Sequence, residues 1–568
     1  MRSLLQRLMP CLLIVCLTCG NVQSQTIDIN IKNQTDSLDK IKPLPLPQIN
    51  NTDKVYVIRV WNQSQFDAIG THLNDAIKAG KKNIVVKIGR GIYKFHENHI
   101  ILEDFKKGEV SITIRGCNTV ITSDGEYTKH NYCTSPWGGL IMADSLIEVV
   151  DDNCKLCMIP YHNSLTAAEM SSLNKVQITQ WYKAPVYQVE RIDQNGVYFV
   201  ASELEYKNQF GRKAYNVNYD YLYAGKTPRF RLYDEQKERP CIASCFLRVN
   251  NAMLRSINLQ GISFKGNKEG TPLIAMNSVV SSKVEIQKCE FFYIRSRVAT
   301  FVGTGNVVFN NNKVSHTGGN ELSFSGGCNN VRVTNNEFKD CGTELGNTIC
   351  VCCNEADYYI ANNTFVDFGY GAIGVGLWYG HTKKCPSQGI VENNEMFFTP
   401  VYFSNYRKHT LMDSGAIYTW TQNDRAIIRY NYIHDYIGIS DNRGIFCDDG
   451  ASNVMIYGNI ILNTPNSYGI DSRKVKGNKA DIMYNVNNFM SYNVVEGCFR
   501  FEGGTDNSKP CQKGVFIILS QNELGNKRSV HNGVEILGED IYLQKNHNRE
   551  GKLLLPKEYK WILKRCDI

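Results

Sequence analysis

Along the middle of the chain, short stretches alternate apolar and polar residues, and each runs into an asparagine followed by another apolar position. Val331-Arg332-Val333-Thr334 leads to Asn336-Glu337-Phe338, and Ala426-Ile427-Ile428-Arg429 leads to Asn431-Tyr432-Ile433. Units of this kind begin at Gly261, Cys289, Asn312, Asn336, Asn363, Asn394, Asn431 and Asn459, at spacings of 28, 23, 24, 27, 31, 37 and 28 residues. Alternation over four to six residues predicts a strand with one buried face. The asparagine after it suits a turn, where it takes a left-handed conformation or bonds neighbouring backbone. One or more such strands every 23–37 residues predicts coils that stack and bury their apolar sides against one another: an all-β chain, wound as a right-handed parallel β-helix. The dense leucine pattern of leucine-rich repeats and the regular 40–50-residue blades of propellers are both missing.

The flanking segments read differently. Residues 1–24 have a positive start (Arg2, Arg7), an apolar run Leu12–Leu17 and the small-residue site Val22-Gln23-Ser24, the pattern of a cleaved leader. This predicts a mature chain exported to the periplasm or beyond. Residues 25–50, with Pro43, Pro45 and Pro47, read as an extended linker. Within 51–135, Phe66–Ala79 is an amphipathic helical stretch suited to capping the open end of the solenoid, ahead of first strands at Ile84–Ile88 and Val110–Ile114. Residues 136–245 lose the repeat and read as an inserted β-rich module. The coils occupy 246–510, and 511–568 form a Lys-rich tail.

Composition narrows the field. With 568 residues, 42% hydrophobic and 21% charged, the chain is globular rather than disordered or collagen-like. Beyond the leader there is no apolar run long enough for a membrane helix. Losing Arg2 and Arg7 with the leader lowers the formal charge from +8 to +6, too diffuse to indicate nucleic acid. Of 20 cysteines, three (Cys11, Cys16, Cys19) leave with the leader. Cys154-x-x-Cys157 and Cys350-x-Cys352-Cys353 have no second Cys/His pair at zinc-finger spacing, so no metal site is expected. Packing as small buried hydrophobes, with a few disulfides, is the expected use.

Candidate chemistry concentrates in 411–449. Aligning coils on Asn431 and Asn459 superposes Ile417 on Ile445 and Trp420 on Asp448. If the isoleucines face inward, Tyr418, Trp420, Phe446 and Asp448 face outward, and Asp471 and Arg473 continue that surface. Carboxylates beside rings suit sugar: rings stack on pyranose faces, and paired carboxylates do acid/base work. Asp413 and Asp448 are offset by seven residues in this alignment, about 23 Å if extended, so a turn before Gly415 is needed to bring them together. The same alignment sets Asp413 on Asp441, one rung apart. Asp449-Gly450 also suits a turn, and His434 could orient a carboxylate. Glu321 and Glu392 stand in reserve as further carboxylates near strand ends.

The segments Asp413-Ser414-Gly415-Ala416-Ile417-Tyr418, Ile428-Arg429-Tyr430-Asn431-Tyr432-Ile433-His434-Asp435, Gly444-Ile445-Phe446-Cys447-Asp448-Asp449-Gly450-Ala451-Ser452 and Tyr457-Gly458-Asn459-Ile460 resemble those of bacterial β-helical carbohydrate-active proteins of the pectate-lyase-like superfamily. The β-helical glycoside hydrolases of families 120 and 141 are similar. The resemblance covers about 50–135 and 250–500 and implies a glycosidase whose catalytic carboxylates are Asp413 and Asp448 or Asp449. Tyr418, Trp420, His434 and Arg473 are the candidate sugar contacts. The family's Gly-Arg-Asp-Trp after Ile-Tyr is replaced here by Thr419-Trp420-Thr421-Gln422. The expected partner is a polysaccharide or oligosaccharide, with no cofactor. A polysaccharide lyase on the same fold is the alternative. It would need a cation, Lys/Arg or Ca²⁺, against the substrate carboxylate, with calcium held by the same aspartates. A non-catalytic glycan-binding surface protein is the third reading.

Overall fold

The structure, a computed structural model, describes residues 33–568 except 34, 50–51, 106–107, 124–147, 152–155, 161–174, 180–185, 201–205, 210–211, 216–228, 234–244, 268–270, 295, 343–347, 377–386, 401–413, 437–441, 465–467, 473–487, 497, 503–511, 520–529, 533–534, 537–540, 544–554 and 556. The leader therefore lies outside the described residues.

The chain winds as a parallel β-helix, right-handed as parallel crossovers are, in which three ladders of parallel strands run the length of the solenoid. Sheet I contains Ile274–Asn277, Ala299–Val302, Leu322–Ser325, Ile349–Asn354, Gly371–Gly376 and the first parts of Ser414–Arg429 and Asn442–Tyr457. Sheet II contains Val280–Gln287, Val307–Asn310, Cys328–Thr334, Ala356–Ala361, Gln388–Glu392 and the last parts of the same two long strands. Sheet III contains Glu290–Phe292, Lys313–Ser315, Glu337–Cys341, Thr364–Phe368, Glu395–Phe397, Tyr432–His434 and Ile460–Leu462.

Pairing continues across the segment that breaks the repeat. Ile100 pairs with Leu247 and Ser111 with Ser256, both parallel. The strands between them, Glu148–Asp151 to Arg229–Tyr233, form a separate eight-stranded sheet whose pairings are antiparallel. The chain thus leaves one rung before this sheet and resumes in register on the next after it.

At the start of the solenoid, the amphipathic stretch forms two helices, Gln63–Asp67 and Ile69–Lys78. The Asn62 side chain caps the first by accepting from the Gln65 N–H at 2.9 Å. Phe66, Ile69, Leu73 and Ala76 are buried in the solenoid core.

The recurring asparagines form a buried ladder between sheets II and III. The backbone N–H of Asn336 donates to Oδ1 of Asn363 at 3.0 Å, and that of Asn363 to Oδ1 of Asn394 at 3.1 Å. The same pattern continues through Asn431, Asn459 and Asn493. Each ladder asparagine thereby satisfies a buried backbone group of the adjacent coil. The left-handed residue is the one before it: Asn311, Asn335, Asn362, Asn393, Tyr430 and Tyr492 have φ between 53° and 57°. Two roles that the repeat suggested for one asparagine are thus divided between neighbours, except that the left-handed position is itself often asparagine. Inside the coils, aromatic rings stack from rung to rung, as in Phe264–Phe291 at 5.2 Å and Phe338–Phe365 at 4.7 Å. Ten cysteines among the described residues are free thiols, and most of them are buried in this packing.

Residues 35–49, part of the segment read as a linker, make contacts with the solenoid. They lie along the outside of sheet II: Thr35 meets Ser491, Asp39 meets Tyr430 and Tyr457, the Leu44 carbonyl accepts from Arg332, and the Pro45 carbonyl accepts from Asn330. Residues 35–39 are helical and only 41–49, which hold the three prolines, lack regular secondary structure; sheet II supplies both stretches with partners that a free linker lacks.

Candidate functional site on sheet I

Register decides which side chains share the site. Ile417 pairs with Ile445 and Trp420 with Asp448, one rung apart. Ile417 and Ile445 belong to the interior core, while Tyr418, Trp420 and Phe446 form a separate cluster with Ile349 and Tyr370 on the outer side.

The rings are held tightly. Tyr418 sits 5.6 Å from Tyr370, 5.4 Å from Trp420 and 4.9 Å, edge to face, from Phe446. Tyr418 and Trp420 are only 6% and 3% exposed, so they are packed groups more than open platforms. Trp420 occupies room left by Gly374, where a Cβ would stand 2.9 Å from the indole ring. The Arg443 guanidinium lies 4.1 Å from the centre of the Phe446 ring and is itself buried. At the edge of the cluster, the Tyr418 hydroxyl donates to Oδ2 of Asp448 at 2.5 Å. Asp448 is partly exposed: a carboxylate with one oxygen fixed by a phenol and its body at the surface. Such a group can accept a proton or hold a hydroxyl with little reorganisation.

The other candidates fall elsewhere. Asp413, Asp441 and Arg473 lie outside the described residues, as does the side chain of Asp449. Asp449 and Gly450 occupy a register irregularity, since the pairing passes from Trp420–Asp448 to Gln422–Ser452. The strand runs on through this bulge, so Asp449-Gly450 does not end it. His434 stands on sheet III, with its ring between Phe397 at 4.7 Å and Tyr432 at 4.3 Å. Its Nδ1 meets Asp435 at 2.8 Å and its Nε2 meets Glu395 at 3.4 Å. Burial disfavours the charged ring, but these carboxylates outweigh it and raise the pKa.

Both reserve carboxylates are committed to structure. Glu321 is wholly buried, accepting from Thr317 and from the Gly342 N–H at 2.9 Å, and burial pushes its pKa up to about 8. Glu392 accepts from Arg429 Nε at 2.5 Å and from the Tyr359 hydroxyl at 2.8 Å under the N-terminal segment. Sequence reasoning missed Tyr370, Gly374 and Arg443. The first two precede or lie in a strand three rungs from Asp471, and only the register shows that they meet the same surface. Among the described residues, no group of three or more His, Cys, Asp or Glu is arranged to hold a metal ion, and no helix is long and apolar enough to cross a membrane.

No protein-family profile matches the chain, and no curated protein matches it in sequence. Solved structures that share its course include a glycoside hydrolase at 9% identity, covering 89% of this chain and 99% of that one with a TM-score of 0.40. Another is a polygalacturonase from Erwinia carotovora ssp. carotovora at 9% identity, covering 87% and 100% with a TM-score of 0.38. A third is the gp54 tailspike of Acinetobacter baumannii bacteriophage AP22 in complex with capsular saccharide, at 9% identity, 90% and 80% coverage and a TM-score of 0.17. At these identities and scores the likeness concerns the winding of the chain and nothing finer.

Proposed function

We propose that the protein is an exported glycoside hydrolase that cleaves a glycosidic bond in a complex polysaccharide or oligosaccharide on the outer face of sheet I. The observation that carries this reading is Asp448, partly exposed and held by Tyr418 at 2.5 Å beside Trp420. A positioned carboxylate next to packed aromatic rings is the equipment of a sugar-cleaving site. Asp413 and Asp449 are the proposed partners, one acting as acid while the other carboxylate acts as base or nucleophile. Arg473 is the proposed contact to substrate oxygens. Tyr418 serves the site by fixing Asp448, and the packed Trp420–Tyr418 pair forms the floor beneath it.

A hydrolysis screen of the purified mature protein against a glycan library, run beside Asp448→Asn, tests this. Reducing ends released by the wild type and lost in the variant are expected. Release of an unsaturated, ultraviolet-absorbing product from uronate polymers would overturn hydrolysis in favour of a lyase. Binding without turnover, unchanged in the variant, would overturn catalysis.

A further inference from the structure

Residues 35–41 and the helix Lys560–Arg565 meet on the outside of sheet II, away from the sheet I site. From the N-terminal side come Leu38, Asp39 and Ile41, and from the C-terminal side the helix Lys560–Arg565 with Trp561 and Ile562. Both pack on one apolar cluster built by Ile390, Ile427, Tyr430, Tyr457 and Tyr492. Trp561 meets Tyr430 at 6.3 Å and Tyr492 at 5.7 Å. Both tyrosines are left-handed residues just before ladder asparagines, with φ of 56° and 53°, a costly conformation for an aromatic residue. The Cys566 thiol reaches the Gly458 carbonyl at 3.3 Å, on the same turn of the coil.

Asp39 joins these pieces. Its carboxylate accepts from the Tyr430 hydroxyl at 2.6 and 2.7 Å and from the Tyr457 hydroxyl at 3.0 Å. Arg565 of the C-terminal helix reaches it at 3.1 Å, and Arg429 at 3.5 Å. Arg429 is 1% exposed and also bonds Glu392, Tyr457 and the carbonyls of Leu38 and Ile41. Two arginines and two carboxylates therefore close a neutral set in which one member, Asp39, comes from the N-terminal segment and one, Arg565, from the C-terminal helix. Removing Asp39 takes a carboxylate from the buried Arg429 and at the same time removes the anchor of Arg565, whose side chain is 55% exposed, so the position of each segment depends on the same carboxylate.

We infer that residues 35–41 and the helix Lys560–Arg565 form a single latch on the coil of Arg429, closed through Asp39, so that the two segments open together and not independently. A partner or protease that draws off one segment releases the other and uncovers the Tyr359–Arg429–Tyr457 strip of sheet II. The latch rests on contacts independent of any activity at Asp448.

Hydrogen exchange of the full-length mature protein, read by mass spectrometry, tests the coupling. In the unaltered protein, amides of 35–41 and of 560–566 should exchange at rates within a fewfold of one another and respond alike to sub-denaturing urea. In Asp39→Asn, both segments should exchange at least tenfold faster while 349–354 is unchanged. Arg332→Gln, which removes the contact to the Leu44 carbonyl, should quicken exchange near 42–46 and leave 560–566 as it was. Rates for the two segments that differ by more than tenfold in the unaltered protein, or an Asp39→Asn effect confined to 35–49, would overturn the single latch. Since the first measurement needs no variant, misfolding of Asp39→Asn cannot shield the inference.

Discussion

The Tyr418 hydroxyl donates to Oδ2 of Asp448, 30 residues further along and one rung away in the same sheet. The contact is diagonal, because Tyr418 pairs directly with Phe446 and Asp448 with Trp420. It follows that one carboxylate oxygen has a fixed orientation, set by a ring that three other rings lock in place.

That arrangement makes the two side chains separable by kinetics. Asp448→Asn keeps size and loses the charge, and should cut turnover of the identified glycan by about 10²–10⁴-fold. Tyr418→Phe keeps the packing and removes one charge-assisted bond, so turnover should fall about ten- to a hundredfold while stability falls by no more than about 1.5–3 kcal/mol. Steady-state rates for both variants check this. If Asp448→Asn stays within a fewfold of wild type, the assignment fails and Asp413 and Asp449 are tested next.

The asparagine ladder should be costly to interrupt. Asn363→Ala leaves the Asn336 N–H and the Val333 carbonyl without their partners, at present 3.0 and 2.9 Å from the Asn363 side chain. Each buried orphan should lower stability by about 1–3 kcal/mol. Urea unfolding of the variant measures the loss, and a change below 0.5 kcal/mol, an estimate set by typical surface substitutions, would show that water replaces the side chain.

Glu321 should make the protein sensitive to base. Its folded pKa of about 8 lies above the ordinary value of 4.5. The folded form therefore holds a proton that the unfolded form has lost. Its contribution is complete below pH 4.5 and is lost as pH rises to about 8, at up to about 1.4 kcal/mol per unit. Glu321→Gln keeps a neutral, hydrogen-bonding side chain. It should flatten the stability profile over that window and raise the melting temperature at pH 8. Thermal melts from pH 5 to pH 9 provide the comparison.

His434 should act in the same sense nearer neutrality. Its pKa is raised above 6.5 in the folded state by Glu395 and Asp435. The stability from these pairs is full below 6.5 and disappears as pH rises through the raised value. His434→Gln should remove this slope without affecting turnover, because the ring stands on sheet III. A loss of turnover in His434→Gln at constant stability would return it to the catalytic site.

Much of this architecture is visible in the order of residues. The 23–37-residue recurrence of apolar alternation and asparagine determines stacked parallel coils, because each coil can hide its apolar side only against another coil. The pairing of Trp420 with Asp448 also follows from the repeat, since two strands with the same inward set must align to bury it. Burial of Glu321 and pairing of Glu392 with Arg429 were not legible: a carboxylate near a strand end looks the same whether its neighbours are solvent, threonine or a buried arginine. Nor was the course of 35–49, where the prolines of 41–49 imply an extended chain but say nothing of what lies beneath it. Asp39 meets partners 391 and 526 residues away, and no local pattern encodes such contacts. The sequence by itself determined the coil, its interior and the rung-to-rung register, all of which arise from short-range periodicity. Only the tertiary structure decided which outward groups are exposed, which are locked together and which are covered by other segments, because those outcomes depend on segments that approach from distant parts of the chain.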